Sequence, residues 1–129
     1  MQKDDQSSEK TVQRLRTICM KLPEASERLS HGSPSFFVQD KKCFVVFVDD
    51  HHGDGNMGVW CAAPPGVQQS LSEESPNWFF KPPYVGHRGW IGIRLDRNMG
   101  WDEFEEYVID AYSTVAPPKL SARIERANL

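Results

Sequence analysis

The hydrophobic period of this chain changes twice, from helical to strand-like and back, and that limits its fold more than any other feature. Val12, Leu15, Ile18, Cys19 and Leu22 recur at three- and four-residue steps, an amphipathic helical stripe that Pro23 stops. From Arg28 the pattern becomes strand-like, with β-branched and aromatic residues in the runs SHGSPSFFV, KKCFVVFVDD and NMGVWCAA. Gln39-Asp40 reads as a short turn, and Asp49 to Asn56 (DDHHGDGN) as a longer hairpin loop. Helical spacing returns with Trp101, Phe104, Val108, Ala111 or Tyr112, and Val115, until Pro117-Pro118 ends it.

Smaller signals fill in the frame. Ser7 or Ser8 is the expected cap of the first helix, with Glu9 well placed in its first turn. Pro64-Pro65 opens a short helix with Val67 and Leu71 inward, closed by Pro76. PPYVGHRGWIGIRLD supplies two more strand-like pieces around Gly86 to Gly89. The order α-β-β-β-α-β-β-α predicts an α+β fold, a single two-layer domain whose antiparallel sheet carries helices on one face. Residues 1–8 read as a flexible lead-in, 9–117 as the domain, and 118–129 as a polar tail or short helix.

The 129 residues are 39% apolar and 26% charged, enough for one domain with a genuine core. A formal charge of −3 argues against indiscriminate polyanion binding, which needs a net or clustered positive surface. No apolar run approaches the ~18–20 residues of a membrane helix, and MQKDDQSSEK is too polar for a signal peptide. Cys19, Cys43 and Cys61 make neither a disulfide framework nor a CxxC knuckle. These features suit a reducing cytoplasm.

Several apparent motifs dissolve on inspection. Gly53, Gly55 and Gly58 spell GxGxxG, but a strand follows them where a dinucleotide site needs a helix N-terminus. Asp50, Asp54 and Gly55 imitate a calcium loop, yet His52 and Cys61 stand where carboxylates are required. His51 and His52 with Asp49, Asp50 and Asp54 have the chemistry of a transition-metal site. Adjacent strand residues point to opposite faces, however, and a solvated loop explains the cluster without a metal. Ser33 lies two residues from His31 without a GxSxG elbow or an evident third member. Cys61 could pair with His31 or His87, although a buried structural role is commoner for a strand cysteine. No metal ligand set, cofactor or catalytic residue is therefore assigned.

The richest segment is FFKPPYVGHRGWIGIR, Phe79 to Arg94. Lys81, His87, Arg88 and Arg94 alternate there with Tyr84 and Trp90, and Gly86 and Gly89 permit a tight turn. Cations among flat aromatics can hold phosphates and stack on bases, or clamp a small anion. They can equally be core strand residues beside surface ion pairs.

SHGSPSFFV, KKCFVVF, the Trp60 strand, PPYVGHRGWIGIRLD and WDEFEEYVIDAYSTVAPPKL resemble, in that order, the MmcQ/YjbR family. The resemblance spans about Val12 to Leu120 and implies a small bacterial protein with a CyaY-like, that is frataxin-like, domain and a DNA-binding label. The family's gly-his-pro-like turn before the second strand falls on His31, Gly32, Ser33 and Pro34, and its aromatic-glycine-tryptophan strand on Pro83, Tyr84, Gly89, Trp90 and Ile91. The chain departs by inserting DDHHGDG and by a Val85-Gly86-His87-Arg88 turn where many relatives are richer in lysine, leaving fewer cations for a duplex. Frataxins collect iron with acidic residues on the first helix and strand. Here that helix carries Lys10, Arg14, Arg16 and Lys21, so no iron is expected.

The leading expectation is a non-enzymatic cytoplasmic domain binding DNA weakly through Lys81, Tyr84, His87, Arg88, Trp90 and Arg94. The alternative is a small-molecule or anion pocket, with or without catalysis, bounded by His31, Ser33, Trp60, Cys61, Tyr84, His87 and Trp90. A third is a protein-interaction face at Glu103, Glu106 and Asp110. No membrane contact is expected, and a monomer or weak homodimer fits all three. The discriminating geometry is whether His87 and Arg88 project on a convex turn or converge on a concavity.

Overall fold

In the computed structural model, which describes residues 2–49 and 57–124, the first helix (α1) runs Gln2–Met20. It starts earlier than the capping signal suggests. Ser7 and Ser8 lie within it, and the Ser8 hydroxyl hydrogen-bonds the Asp49 carboxylate instead of capping a helix end. The apolar stripe behaves as its spacing requires, since Val12, Leu15, Ile18, Cys19 and Leu22 are all buried.

Six strands follow: β1 (Ala25–Ser30), β2 (Ser33–Val38), β3 (Lys42–Asp49), β4 (Met57–Cys61), β5 (Phe79–Phe80) and β6 (Ile91–Arg94). Between β4 and β5 lies α2 (Val67–Glu74), and α3 (Trp101–Val115) and α4 (Pro118–Ser121) close the order. The α+β architecture is as expected: one antiparallel sheet, ordered β1-β2-β3-β4-β6-β5, with helices packed on it. The segment 118–129 begins as the short helix α4, anchored by buried Leu120.

Two local expectations are corrected. The sequence pattern contains one strand fewer before α2, because β1 (ASERLS) has only Ala25 and an exposed Leu29 as apolar residues, with Glu27 between them on the same face, and so no apolar run to read. It is an edge strand, held by pairing with β2 and by the Arg16 guanidinium on Glu27 at 2.6 and 2.9 Å. Its turn into β2 is His31-Gly32, with φ of 52° and 82°, the left-handed pair of a type I′ hairpin. The second correction is at PPYV, which is a turn; the strand before Gly86 is Phe79–Phe80. Two consecutive prolines offer no N–H to a ladder.

Register then sorts the strand side chains. Phe36, Val45, Cys61 and Ile91 lie across from one another, as do Phe47, Val59, Ile93 and Phe79. This face is buried against the helices together with Leu15, Phe104, Val108 and Tyr112. Tyr112, fully buried, donates its hydroxyl to Pro23 O at 2.6 Å and meets Phe44 edge-on at 5.4 Å. On the opposite face one cross-strand row reads Arg28, Ser35, Val46, Trp60 and Gly92. Ser30 pairs with Ser33 beside it, and Val48 with Gly58 and Arg94. That second face, covered in part by residues 81–90, is where the site lies.

Candidate functional site

Two glycines shape the ladder beneath the site. A Cβ on Gly58 would lie 1.9 Å from the Ile93 carbonyl oxygen, so β4 and β6 approach closely only because it is absent. A Cβ on Gly92 would meet the Phe80 ring at 2.3 Å; that ring occupies the space instead, and the Arg94 guanidinium lies over it at 4.6 Å.

The segment after β5 turns back over the sheet. Tyr84 takes a left-handed φ of 65°, a single 3-10 turn follows at Gly86–Arg88, and Gly89 at φ 84° releases the chain into β6. Helix α2 pins this arch: the Gln68 side-chain amide donates to Gly86 O at 2.7 Å and to Trp90 O at 2.6 Å. Both ends of the turn are therefore held by one side chain. The Lys81 stem packs against Gly86, where an added Cβ would touch Lys81 Cγ at 2.8 Å.

Between arch and sheet lies a cavity of about 730 Å³, within the range of small-ligand sites. Val46, Val48 and Trp60 form its floor; Tyr84, Val85, Arg88 and Trp90 form the wall; Ser30, His31 and Ser33 stand along the β1–β2 hairpin side. Tyr84 is 68% exposed and sits 6.3 Å from Trp60, ring to ring, at a 51° tilt. The Arg88 guanidinium lies 5.2 Å from the Trp90 ring centre. The surface is thus mainly apolar and aromatic, with a few polar groups on its border.

The sequence-derived candidates divide accordingly. His31, Ser33, Trp60, Tyr84, Arg88 and Trp90 meet at the cavity. Lys81, His87 and Arg94 do not line it. His87 is exposed on the 3-10 turn, and Arg94 donates to Pro76 O at 3.0 Å. Cys61 is corrected outright: it is fully buried on the helix-facing side of the sheet, where desolvation pushes its thiol pKa far up. The cysteine at the cavity is Cys43, which the sequence reading passed over. A register shift between Phe36 and Phe37 breaks simple alternation in β2–β3, so parity counting does not assign Cys43 to a face. Its pKa is raised mainly by burial, with hydrogen bonds at Val45 and Phe36 and the charges of Arg88 and Arg28 pulling the other way. A protonated thiol is a poor nucleophile.

Among the described residues, no cluster of three His, Cys, Asp or Glu side chains is placed to hold a metal ion. Asp50, His51, His52, Gly53, Asp54 and Gly55 lie outside the described residues. Asp102, Glu103, Glu106 and Asp110 are exposed on α3, while Glu105 is half-buried and accepts from Lys21 at 3.1 Å.

A family model described as YjbR matches residues 20–114, from the end of α1 to the last turn of α3. The sequence matches no curated protein. Among solved structures the chain is similar to Deinococcus radiodurans protein DR2400, whose description gives the family-model domain DUF419. The two are 19% identical with a TM-score of 0.68 over 81% of this chain and 77% of that one. At that identity the likeness concerns the fold.

Proposed function

The chain belongs to the YjbR family, and from that premise we propose that it is a small-molecule-binding domain whose ligand occupies the cavity under residues 81–90. The observation that carries this reading is the position of Arg88. Its side chain, exposed as it is, borders the concavity together with Trp90, Tyr84 and Trp60. A ligand with a flat apolar body matches the aromatic wall and valine floor, and the polar groups at the hairpin would orient it.

DNA binding, the other reading, is less well served by this geometry. A duplex needs several cations presented together to its phosphates. Lys81, His87, Arg88 and Arg94 are instead divided between the cavity, the outer turn and the Phe80 ring.

The test is an amide-correlation NMR titration with naphthalene-2-carboxamide, a neutral aromatic probe. Saturable shifts are expected at Ser30–Ser33, Val46–Val48 and Tyr84–Trp90, little changed by added salt. Val46→Trp, which fills the cavity from its floor, is expected to remove them. Shifts scattered elsewhere, or none, would exclude the pocket reading.

A further inference from the structure

Strand β1 forms one edge of the sheet, and its pairing with β2 determines which of its backbone groups point outward. The hairpin pair Ser30–Ser33 and the Gln39 N–H donating to Glu24 O at 2.9 Å fix the alternation: Glu24, Ser26, Arg28 and Ser30 turn their N–H and C=O toward β2. Ala25, Glu27 and Leu29 therefore turn theirs outward. The Ala25 N–H is bent back to Leu22 O at 3.2 Å, whereas among the described residues the N–H and C=O groups of Glu27 and Leu29 have no backbone partner. Leu29 shares a face of the strand with Glu27 and is 70% exposed. On the other face the Ser26 hydroxyl bonds the Asp40 carboxylate, and the half-exposed Arg28 guanidinium stands 3.9 Å from it.

We infer that β1 pairs antiparallel with β1 of a second copy of this chain, Glu27 lying opposite Glu27 at a twofold axis, so that two six-stranded sheets join edge to edge. The register follows from the residues. Both unoccupied donors then find acceptors: Glu27 exchanges two bonds with its counterpart, and each Leu29 N–H meets the Ala25 C=O across the axis. The exposed Leu29 side chain comes to lie against Ala25. Arg28 falls opposite Ser26 in a non-hydrogen-bonded pair, where side chains are closest, and so faces the Asp40 carboxylate that Ser26 holds. Symmetry makes that contact twice. Centring the axis on Arg28 instead would set two guanidiniums against each other. Charges on an edge usually deter pairing, but here Arg28 and Asp40 complement their own copies, and each Glu27 brings its counter-ion, Arg16, at 2.6 and 2.9 Å.

The test is sedimentation equilibrium of the full chain, with amide hydrogen exchange measured on the same samples. An interface of two short strands is small, so the mass should rise from one chain toward two between roughly 10 µM and 1 mM. Over that range the Glu27 and Leu29 amides should gain protection, while those of Ser26, Arg28 and Ser30, already bonded to β2, should not change. Arg28→Glu and Asp40→Lys should each stay monomeric alone, because like charges then face each other across the axis. Mixed in equal amounts they should form a one-to-one dimer, since every cross-axis pair is again of opposite sign. A purely intramolecular role for the Arg28–Asp40 pair gives no such rescue. A wild-type chain still monomeric at the top of the range would overturn the inference. So would protection gained at other amides, a dimer of either variant alone, or a mixture of the folded variants that stays monomeric. The wild-type exchange pattern decides the matter even where a variant folds poorly.

Discussion

A single missing Cβ decides how closely two strands can lie in this protein. Gly58 has the Ile93 carbonyl oxygen where its side chain would begin, a contact with backbone that no rotamer change relieves. Gly58→Ala should therefore destabilise the fold by about 3 kcal/mol, the upper part of the ~1–3 kcal/mol range for overpacking, read as a lower denaturant midpoint at unchanged slope. A neutral result would mean that β4 and β6 can separate without cost. The same scale governs the cysteines. Trp60 and Cys61 are adjacent, so one faces the cavity and the other the helices, and no substitution at Cys61 reaches the site directly.

At the scale of elements, the arch over the sheet has little secondary structure of its own. Residues 81–90 contain one 3-10 turn, and two hydrogen bonds from Gln68 on α2 hold that turn at both ends. Gln68→Ala should release it, because no other atom of the alanine side chain can bridge Gly86 O and Trp90 O. Aromatic-probe binding should weaken by about tenfold, while thermal stability falls by only the ~1 kcal/mol expected for lost, solvent-reachable hydrogen bonds. Equal loss of stability and binding would show that Gln68 supports the whole domain and not the arch. Strand β1 illustrates a different element-level effect. With serines on one face and Glu27 on the other, it joins the sheet through backbone pairing and the Arg16–Glu27 contact, and brings Ser30 to the site.

Across the whole molecule, the buried ionisable groups agree in direction. Cys19 and Cys61 are raised chiefly by desolvation, and so is Tyr112. Each binds its proton more tightly in the folded chain than in the unfolded one. Their contribution is complete below the ordinary thiol pKa near 8.5 and is lost as pH rises above it, with tyrosine adding to the loss above about 10. The slope is roughly 1.4 kcal/mol per pH unit for each thiol kept protonated by the fold. Urea midpoints measured at pH 7 and pH 10 should differ accordingly, with the lower value at pH 10. A midpoint that stays constant would contradict the burial of both thiols. All three cysteines are free thiols, Cys19 and Cys61 in the core and Cys43 on the cavity side.

The amino-acid sequence by itself determined the layered α+β plan, since periods of 3.6 and 2 dictate which side chains of α1, β2–β4, β6 and α3 must share a face. It also pointed to the cavity's aromatic wall, because Tyr84, Arg88 and Trp90 stand close together along the chain. It did not disclose β1, which has no apolar run to detect, nor the Cys43 position, because a bulge resets parity at Phe36–Phe37. Only the tertiary structure decided that Arg88 turns into a concavity while Lys81, His87 and Arg94 turn elsewhere. It alone brought His31 and Ser33, more than fifty residues before Arg88 in the chain, to the border of that cavity. Convergence of distant side chains depends on strand order and on the path of an irregular arch held by Gln68. Neither has a local period from which it could be read.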